Sequence, residues 1–202
     1  MSMKLGIIGF GGMGKFHSKQ APKAGVTVIG AADIKEERVQ EAIEAGIKGY
    51  HSADELLADP EINTVILTVP NHLHKEMAIK AAKAGKNVIT EKPAALNVAE
   101  LDEMTKACEE AGVCFTTHQN RRWDRDMLTV KKAYETGMLG KVFTIESRLH
   151  SGNGYMHEWH LYKKYGGGMM YDWGVHLIDQ ILFYDAGCKS ENSFCRPEKC
   201  SA

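Results

Sequence analysis

Over residues 1–119, short apolar runs alternate with segments of helical period, and few architectures accommodate that alternation. The strand-length runs are 4–9, 26–33, 64–69, 87–90 and 113–117. Between them 12–24, 35–45, 74–84 and 98–111 carry apolar residues at helical spacing. Gly25, Gly46, Gly85 and Gly112 follow the helical segments, where a left-handed C-cap is wanted. Asn97 is a good N-cap for the helix that follows it. Strands that alternate with helices bury both faces of a parallel sheet through right-handed crossovers. The expectation is a doubly wound α/β domain.

The first crossover carries Gly9-Phe10-Gly11-Gly12-Met13-Gly14, the spacing G-x-G-x-x-G, between a strand and a helix. In that setting each glycine has a task. Gly9 permits the tight turn, Gly11 lets the backbone approach a pyrophosphate, and Gly14 lets helix and strand pack closely. The helix N-terminus adds N–H groups and partial positive charge for the anion. About 20 residues after the glycines the second strand ends in Asp33, the spacing of a carboxylate that holds the adenosine ribose. Such an acid accepts from both ribose hydroxyls and repels a 2′-phosphate, so NAD is expected over NADP. Lys35 and Arg38 are close enough to weaken that preference, and of their two readings the solvated face of the next helix is favoured.

Charge and apolar length exclude several classes. Twenty-five Lys plus Arg against 26 Asp plus Glu leave no basic excess for nucleic acid. No apolar run approaches the roughly 20 residues that span a bilayer, and the stretch after Met1-Ser2-Met3-Lys4 runs straight into glycines rather than a signal-peptide core. A cytoplasmic protein without membrane partners is expected. Five cysteines, an odd number, argue against a disulfide framework.

Two later segments narrow the class. Thr68-Val69-Pro70-Asn71-His72-Leu73-His74 and Glu91-Lys92-Pro93 each follow a strand, where an open parallel sheet binds its ligands. A third, Gly166-Gly167-Gly168-Met169-Met170-Tyr171-Asp172-Trp173-Gly174-Val175-His176-Leu177-Ile178-Asp179, lies in the second half. With the glycine loop, these segments resemble the glucose–fructose oxidoreductase / inositol dehydrogenase (Gfo/Idh/MocA) family. That family has a strand-end P-N-x-x-H, an E-K-P after the next strand, and G-G-G-x-x-x-D-x-G-x-H-x-x-D. The likeness covers residues 4 to about 184.

The resemblance implies a Rossmann NAD(P)-binding domain over 1–119, followed by the start of an α+β substrate domain over 120–187. It also implies that Lys92, Asp172 and His176 are catalytic. Oxidation of a secondary alcohol needs a base for the hydroxyl proton and a donor for the developing alkoxide. His176 suits the base, Asp172 four residues earlier would orient its ring along one helix face, and Lys92 suits the donor. The cofactor set is then Gly9, Phe10, Gly11, Gly12, Met13, Gly14, Asp33, Pro70, Asn71, His74, Glu91 and Lys92, with His74 and Glu91 included through the resemblance alone. Lys92-Pro93 is a candidate cis bond that would re-aim the lysine.

No metal is expected: His157-Glu158-Trp159-His160 lacks the H-E-x-x-H spacing of a zinc helix. The loop 151–164 has two readings, substrate contact through Tyr155, Trp159 and His160, or aromatic packing. Residues 120–138 read as one amphipathic helix with Trp123, Met127, Val130 and Tyr134 on a stripe, and 141–149 as a strand. A complete family member is longer, so the second domain reads as truncated. Its substrate pocket and oligomer interface are then incomplete. The tail 188–202 holds Cys188, Cys195 and Cys200 without apolar periodicity, and is expected to be out of frame.

The leading expectation is hydride transfer between a nicotinamide cofactor and a secondary alcohol of a sugar, cyclitol or polyol. Alternatives on the same dinucleotide motifs are an NAD-dependent glycosidase and a dinucleotide-sensing regulator. Retention of Lys92, Asp172 and His176 counts against the regulator. A Rossmann methyltransferase has no use for the E-K-P and D-x-G-x-H segments.

Overall fold

A computed structural model of the chain describes residues 2–150 and 158–184. The chain forms two compact units, the first reaching Thr117 and the second beginning at His118.

The first unit contains six strands: β1 Lys4–Ile8, β2 Thr27–Ala32, β3 Lys48–Tyr50, β4 Thr64–Leu67, β5 Asn87–Thr90 and β6 Phe115–Thr117. They form one parallel sheet in the order β3-β2-β1-β4-β5-β6. Its helices are α1 Gly12–Gln20, α2 Glu36–Glu44, α3 Ala53–Ala58, α4 His74–Lys83 and α5 Val98–Glu110. The chain builds outward from β1 to β3, then returns to start β4 on the other side of β1. This reversal opens a crevice at the carboxyl ends of β1 and β4, the place where such sheets bind ligands.

Alternation along the central strands fills both faces. Ile8, Val65, Leu67 and Val88 pack in one buried cluster with Leu56, Ala78, Ala81, Ala82, Met104 and Cys108 from the helices. Leu5, Ile7 and Ile66 join Phe10, Ala31 and Ala42 in the other. Burial pushes the Cys108 thiol up to about 11, as befits a packed side chain. The four helix-terminal glycines take positive φ, from 67° to 81°, as the sequence suggests. Asn97 caps α5 by accepting the Glu100 N–H at 2.9 Å, and Ser52 caps α3 through Glu55.

Several boundaries differ from expectation. The segment 12–24 is not one α-helix: α1 stops at Gln20 and Ala21–Ala24 tightens into a 3₁₀ turn, because Pro22 cannot supply the next ladder N–H. β3 and α3 were not anticipated, being three and six residues long, too short to show a period.

In the second unit, α6 Arg125–Glu135 is preceded by a separate 3₁₀ turn at Asn120–Trp123. The break falls at Asp124, whose backbone is extended (φ −63°, ψ 144°). Of the expected stripe only Met127 is buried, while Trp123, Val130 and Tyr134 are exposed. Residues 141–149 do not form the expected strand, and Phe143 is 93% exposed. A strand needs a neighbour to take its N–H and C=O groups, and none among the described residues pairs with this run. Asp172 and His176, expected on one helix face, fall in different elements: Asp172 in a π-helical turn at Met170–Gly174 and His176 in α7 Val175–Tyr184. Tyr155 and the tail 188–202 lie outside the described residues.

Candidate functional site

The glycine loop occupies the turn from β1 into α1. Gly9 has φ +95°, and a Cβ there would lie 2.8 Å from the Thr68 carbonyl oxygen. Thr68 Oγ1 in turn donates to Gly9 O at 2.5 Å, so the ends of β1 and β4 are tied at the crevice. A Cβ on Gly14 would stand 2.2 Å from Gly9 O, which fixes how closely α1 packs on the strand end. Gly12, by contrast, meets nothing within 4 Å, and Gly11 meets only Arg38, at 3.5 Å. No side chain caps the first turn of α1, and no acid lies in it. The N-terminus of a nine-residue helix therefore faces open space that a side chain would otherwise fill, which suits a diphosphate.

Asp33 lies just past the end of β2. Its side chain is only 4% exposed. Oδ2 accepts the Phe10 N–H at 2.8 Å and faces Arg38 Nη1 at 3.3 Å, while Oδ1 accepts the Lys35 N–H at 3.0 Å. Arg38 is therefore not a simple solvated residue of α2; its guanidinium lies against the Asp33 carboxylate. Phe10 is 2% exposed, with its ring in the core and its amide on Asp33, so it shapes the loop from beneath. Met13 is exposed on α1.

The ends of β4 and β5 bring the remaining first-unit residues into the same region of the sheet. Pro70 O accepts the Leu73 N–H in a short 3₁₀ turn that leaves Asn71 buried. His74, first residue of α4, is fully buried, with Nδ1 2.8 Å from Pro93 O and Nε2 3.1 Å from Val69 O. Desolvation pushes its pKa below the usual histidine range, against the pull of those carbonyls. A neutral ring donates one N–H, to one of these two carbonyls. Glu91 is buried, Lys92 is half-buried, and the Lys92–Pro93 bond is cis.

Asp172 and His176 belong to the second unit. Asp172 lies in the π-helical turn, its N–H donating to Gly168 O at 3.0 Å. His176, at the start of α7, is buried, with its ring edge-on to Trp173 at 5.8 Å. The preceding glycines are required for different reasons: a Cβ on Gly167 would lie 2.3 Å from His160 O, whereas Gly168 has open space but φ +122°. Trp159 stacks on His160 at 3.8 Å.

Three groups that sequence reasoning did not single out support the site. Thr68 locks Gly9. His17 on α1 reaches Glu91 at 2.6 Å. Arg122 forms a two-bond pair with Asp179, at 2.8 and 2.6 Å, which fastens α7 to the turn before α6. Only the pattern G-x-G-x-x-G-x-x-H hinted at His17.

The six-stranded parallel sheet, the glycine loop on α1 and the acid after β2 define an NAD(P)-binding Rossmann domain. Residues 3–119 match the oxidoreductase family with NAD-binding Rossmann fold, and residues 127–187 match the GFO/IDH/MocA C-terminal domain. The chain belongs to the Gfo/Idh/MocA oxidoreductase family. It is 34% identical to the myo-inositol 2-dehydrogenase of Thermotoga maritima over 90% of this chain and 54% of that protein. It is likewise 34% identical to the scyllo-inositol 2-dehydrogenase (NADP(+)) IolW of Bacillus subtilis, over 90% of this chain and 51% of that protein. Among solved structures, an NAD-binding protein from Listeria innocua superposes with a TM-score of 0.88 at 41% identity, covering 91% of this chain and 55% of that one. The chain thus spans about half the length of these relatives. No helix among the described residues is long and apolar enough to cross a membrane.

Proposed function

We propose that this chain carries the cofactor-binding and catalytic groups of an NAD(P)-dependent dehydrogenase acting on a secondary alcohol of a cyclitol, sugar or related polyol. The observation that carries the reading is the glycine cradle, open at Gly12 and bordered by the Arg38 side chain at Gly11, with Asp33 beneath it at the neighbouring strand end. The inositol dehydrogenases among the relatives favour cyclitols within the polyol class and give no support to a glycosidase.

In this reading, N–H groups of the first turn of α1 hold the diphosphate, and Asp33 receives the adenosine ribose hydroxyls. NAD is the preferred cofactor, since the Asp33 carboxylate repels a 2′-phosphate. Arg38, 3.3 Å from that carboxylate, moderates the preference. When bound, the nicotinamide supplies the hydride acceptor. Lys92 then donates a hydrogen bond to the reacting oxygen, His176 accepts the hydroxyl proton, and Asp172 orients His176.

Calorimetric titration of the chain with NAD and NADP, followed by a scan of inositols and sugars for reduced-cofactor absorbance, tests this reading. Saturable binding with NAD tighter than NADP is expected. Binding of neither dinucleotide would overturn it.

A further inference from the structure

The buried carboxylate of Glu91 is not used by the scheme above. Its side chain and that of His17 are each 9% exposed, and His17 Nε2 lies 2.6 Å from Glu91 Oε1. The other oxygen, Oε2, accepts the main-chain N–H of Lys92 at 3.2 Å. The Glu91 N–H donates to Leu67 O at 3.0 Å, continuing the β4–β5 ladder to its last residue. One carboxylate therefore connects the dinucleotide helix α1 to the peptide from which the Lys92 side chain leaves. On the far side of Lys92, His74 meets Pro93 O, and through its other nitrogen Val69 O.

We propose that His17 and Glu91 are a buried positioning pair that fixes the backbone of Lys92, with His74 holding the same loop from the other side. The proposal rests on the reading of Lys92 as the donor to the reacting oxygen. Burying a carboxylate and an imidazole is costly, and such a pair is a poor way to gain stability alone. It does gain geometry. A charge-assisted bond near 2.6 Å holds the carboxylate in one rotamer, and that rotamer aims Oε2 at the Lys92 amide. The ammonium then extends from a peptide anchored through α1 and through β4, the two elements that flank the crevice. Because His17 sits on the helix that follows the glycine loop, the pair also sets Lys92 in register with the cofactor cradle. Both Glu91 oxygens and both His74 ring nitrogens face atoms of this chain. In this arrangement Glu91 and His74, included in the cofactor set through family resemblance, act on the backbone of the Lys92 loop.

Amide exchange of the 202-residue protein, followed residue by residue by NMR, tests the pair in His17→Phe, His17→Gln and Glu91→Leu, with NAD titration of each. His17→Phe and Glu91→Leu should speed exchange of the Lys92 amide about tenfold or more, the scale of a lost hydrogen bond to a charged group. Exchange in β1 and α5 should stay as it was. His17→Gln should restore slow exchange, since its carboxamide can donate where Nε2 does. Unchanged Lys92 exchange in a folded His17→Phe or Glu91→Leu protein overturns the pair. So does equal acceleration in the Phe and Gln variants, which would mark His17 as mere packing. If His17→Phe does not fold, Glu91→Leu decides. Failure of the unmodified chain to bind either dinucleotide overturns the functional reading, whereas normal binding with unmoved Lys92 exchange overturns the positioning pair alone.

Discussion

Gly11 and Gly14, on either side of the start of α1, should fail in opposite ways when each is changed to alanine. At Gly14 the new Cβ would lie 2.2 Å from Gly9 O and 3.2 Å from Thr68 Oγ1, where ordinary contact begins at 3.4 Å. The first obstacle is main chain, so no rotamer change relieves it; α1 must move away from the strand end by about 1 Å. Overpacking of this kind costs about 3 kcal/mol, the upper part of its usual range. A unit of this size has roughly 6–17 kcal/mol of stability in total, so Gly14→Ala should still fold. Its melting temperature should fall by roughly 12 °C. At Gly11 the backbone has φ −78°, which any residue adopts, and the nearest atom is Arg38 Nη1 at 3.5 Å. Gly11→Ala should therefore melt close to the unmodified protein, yet bind NAD roughly tenfold or more weakly, because the Cβ occupies the diphosphate approach. Thermal unfolding by circular dichroism and calorimetric NAD titration separate the two effects. A Gly14→Ala protein that melts within about 2 °C of the original would refute the packing account. Unchanged NAD affinity in Gly11→Ala would refute the cradle.

In a chain extended by a complete second domain, Lys92→Ala should lower polyol-dependent NADH formation by about a hundredfold while NAD binding survives; near-normal turnover would remove Lys92 from the mechanism. Asp33→Ala should narrow the NAD preference measured by paired NAD and NADP titrations, and an unaltered ratio would mean that the carboxylate does not read the ribose. Acid stability should depend on Asp59, which hydrogen bonds from Tyr50, Lys48 and the Glu61 N–H hold at about 2. A carboxylate depressed in the folded state contributes fully above its unfolded value near 4, and the contribution is lost as pH falls towards 2. Tyr50→Phe removes the largest of these bonds, so its melting temperature should lie below that of the unmodified protein at pH 6 and converge with it towards pH 2. A constant difference across that range would exclude the linkage.

The alternating apolar runs, the glycines after helices and the loop Gly9–Gly14 determined the Rossmann domain from sequence, because each is a local rule: period, φ preference and steric allowance act within a few residues. The strand-end motifs likewise placed Asp33, Asn71, His74, Glu91 and Lys92 at the sheet's carboxyl edge, since topology alone sends them there. Local rules failed where an element lacks a period or a partner. β3 and α3 were too short to register, Asp124 breaks what looked like one helix, and residues 141–149 alternate like a strand without a neighbouring strand among the described residues. Tertiary structure alone decided what the side chains at the site do. His17 and Glu91 are 74 residues apart, Arg122 and Asp179 are 57 apart, and neither pairing leaves a periodic trace. Arg38 lies five residues from Asp33, yet only the turn from β2 into α2 brings its guanidinium onto that carboxylate rather than into solvent. Sequence fixes which chemistry a position can offer; the energetic cost of burying it decides which partner it must find.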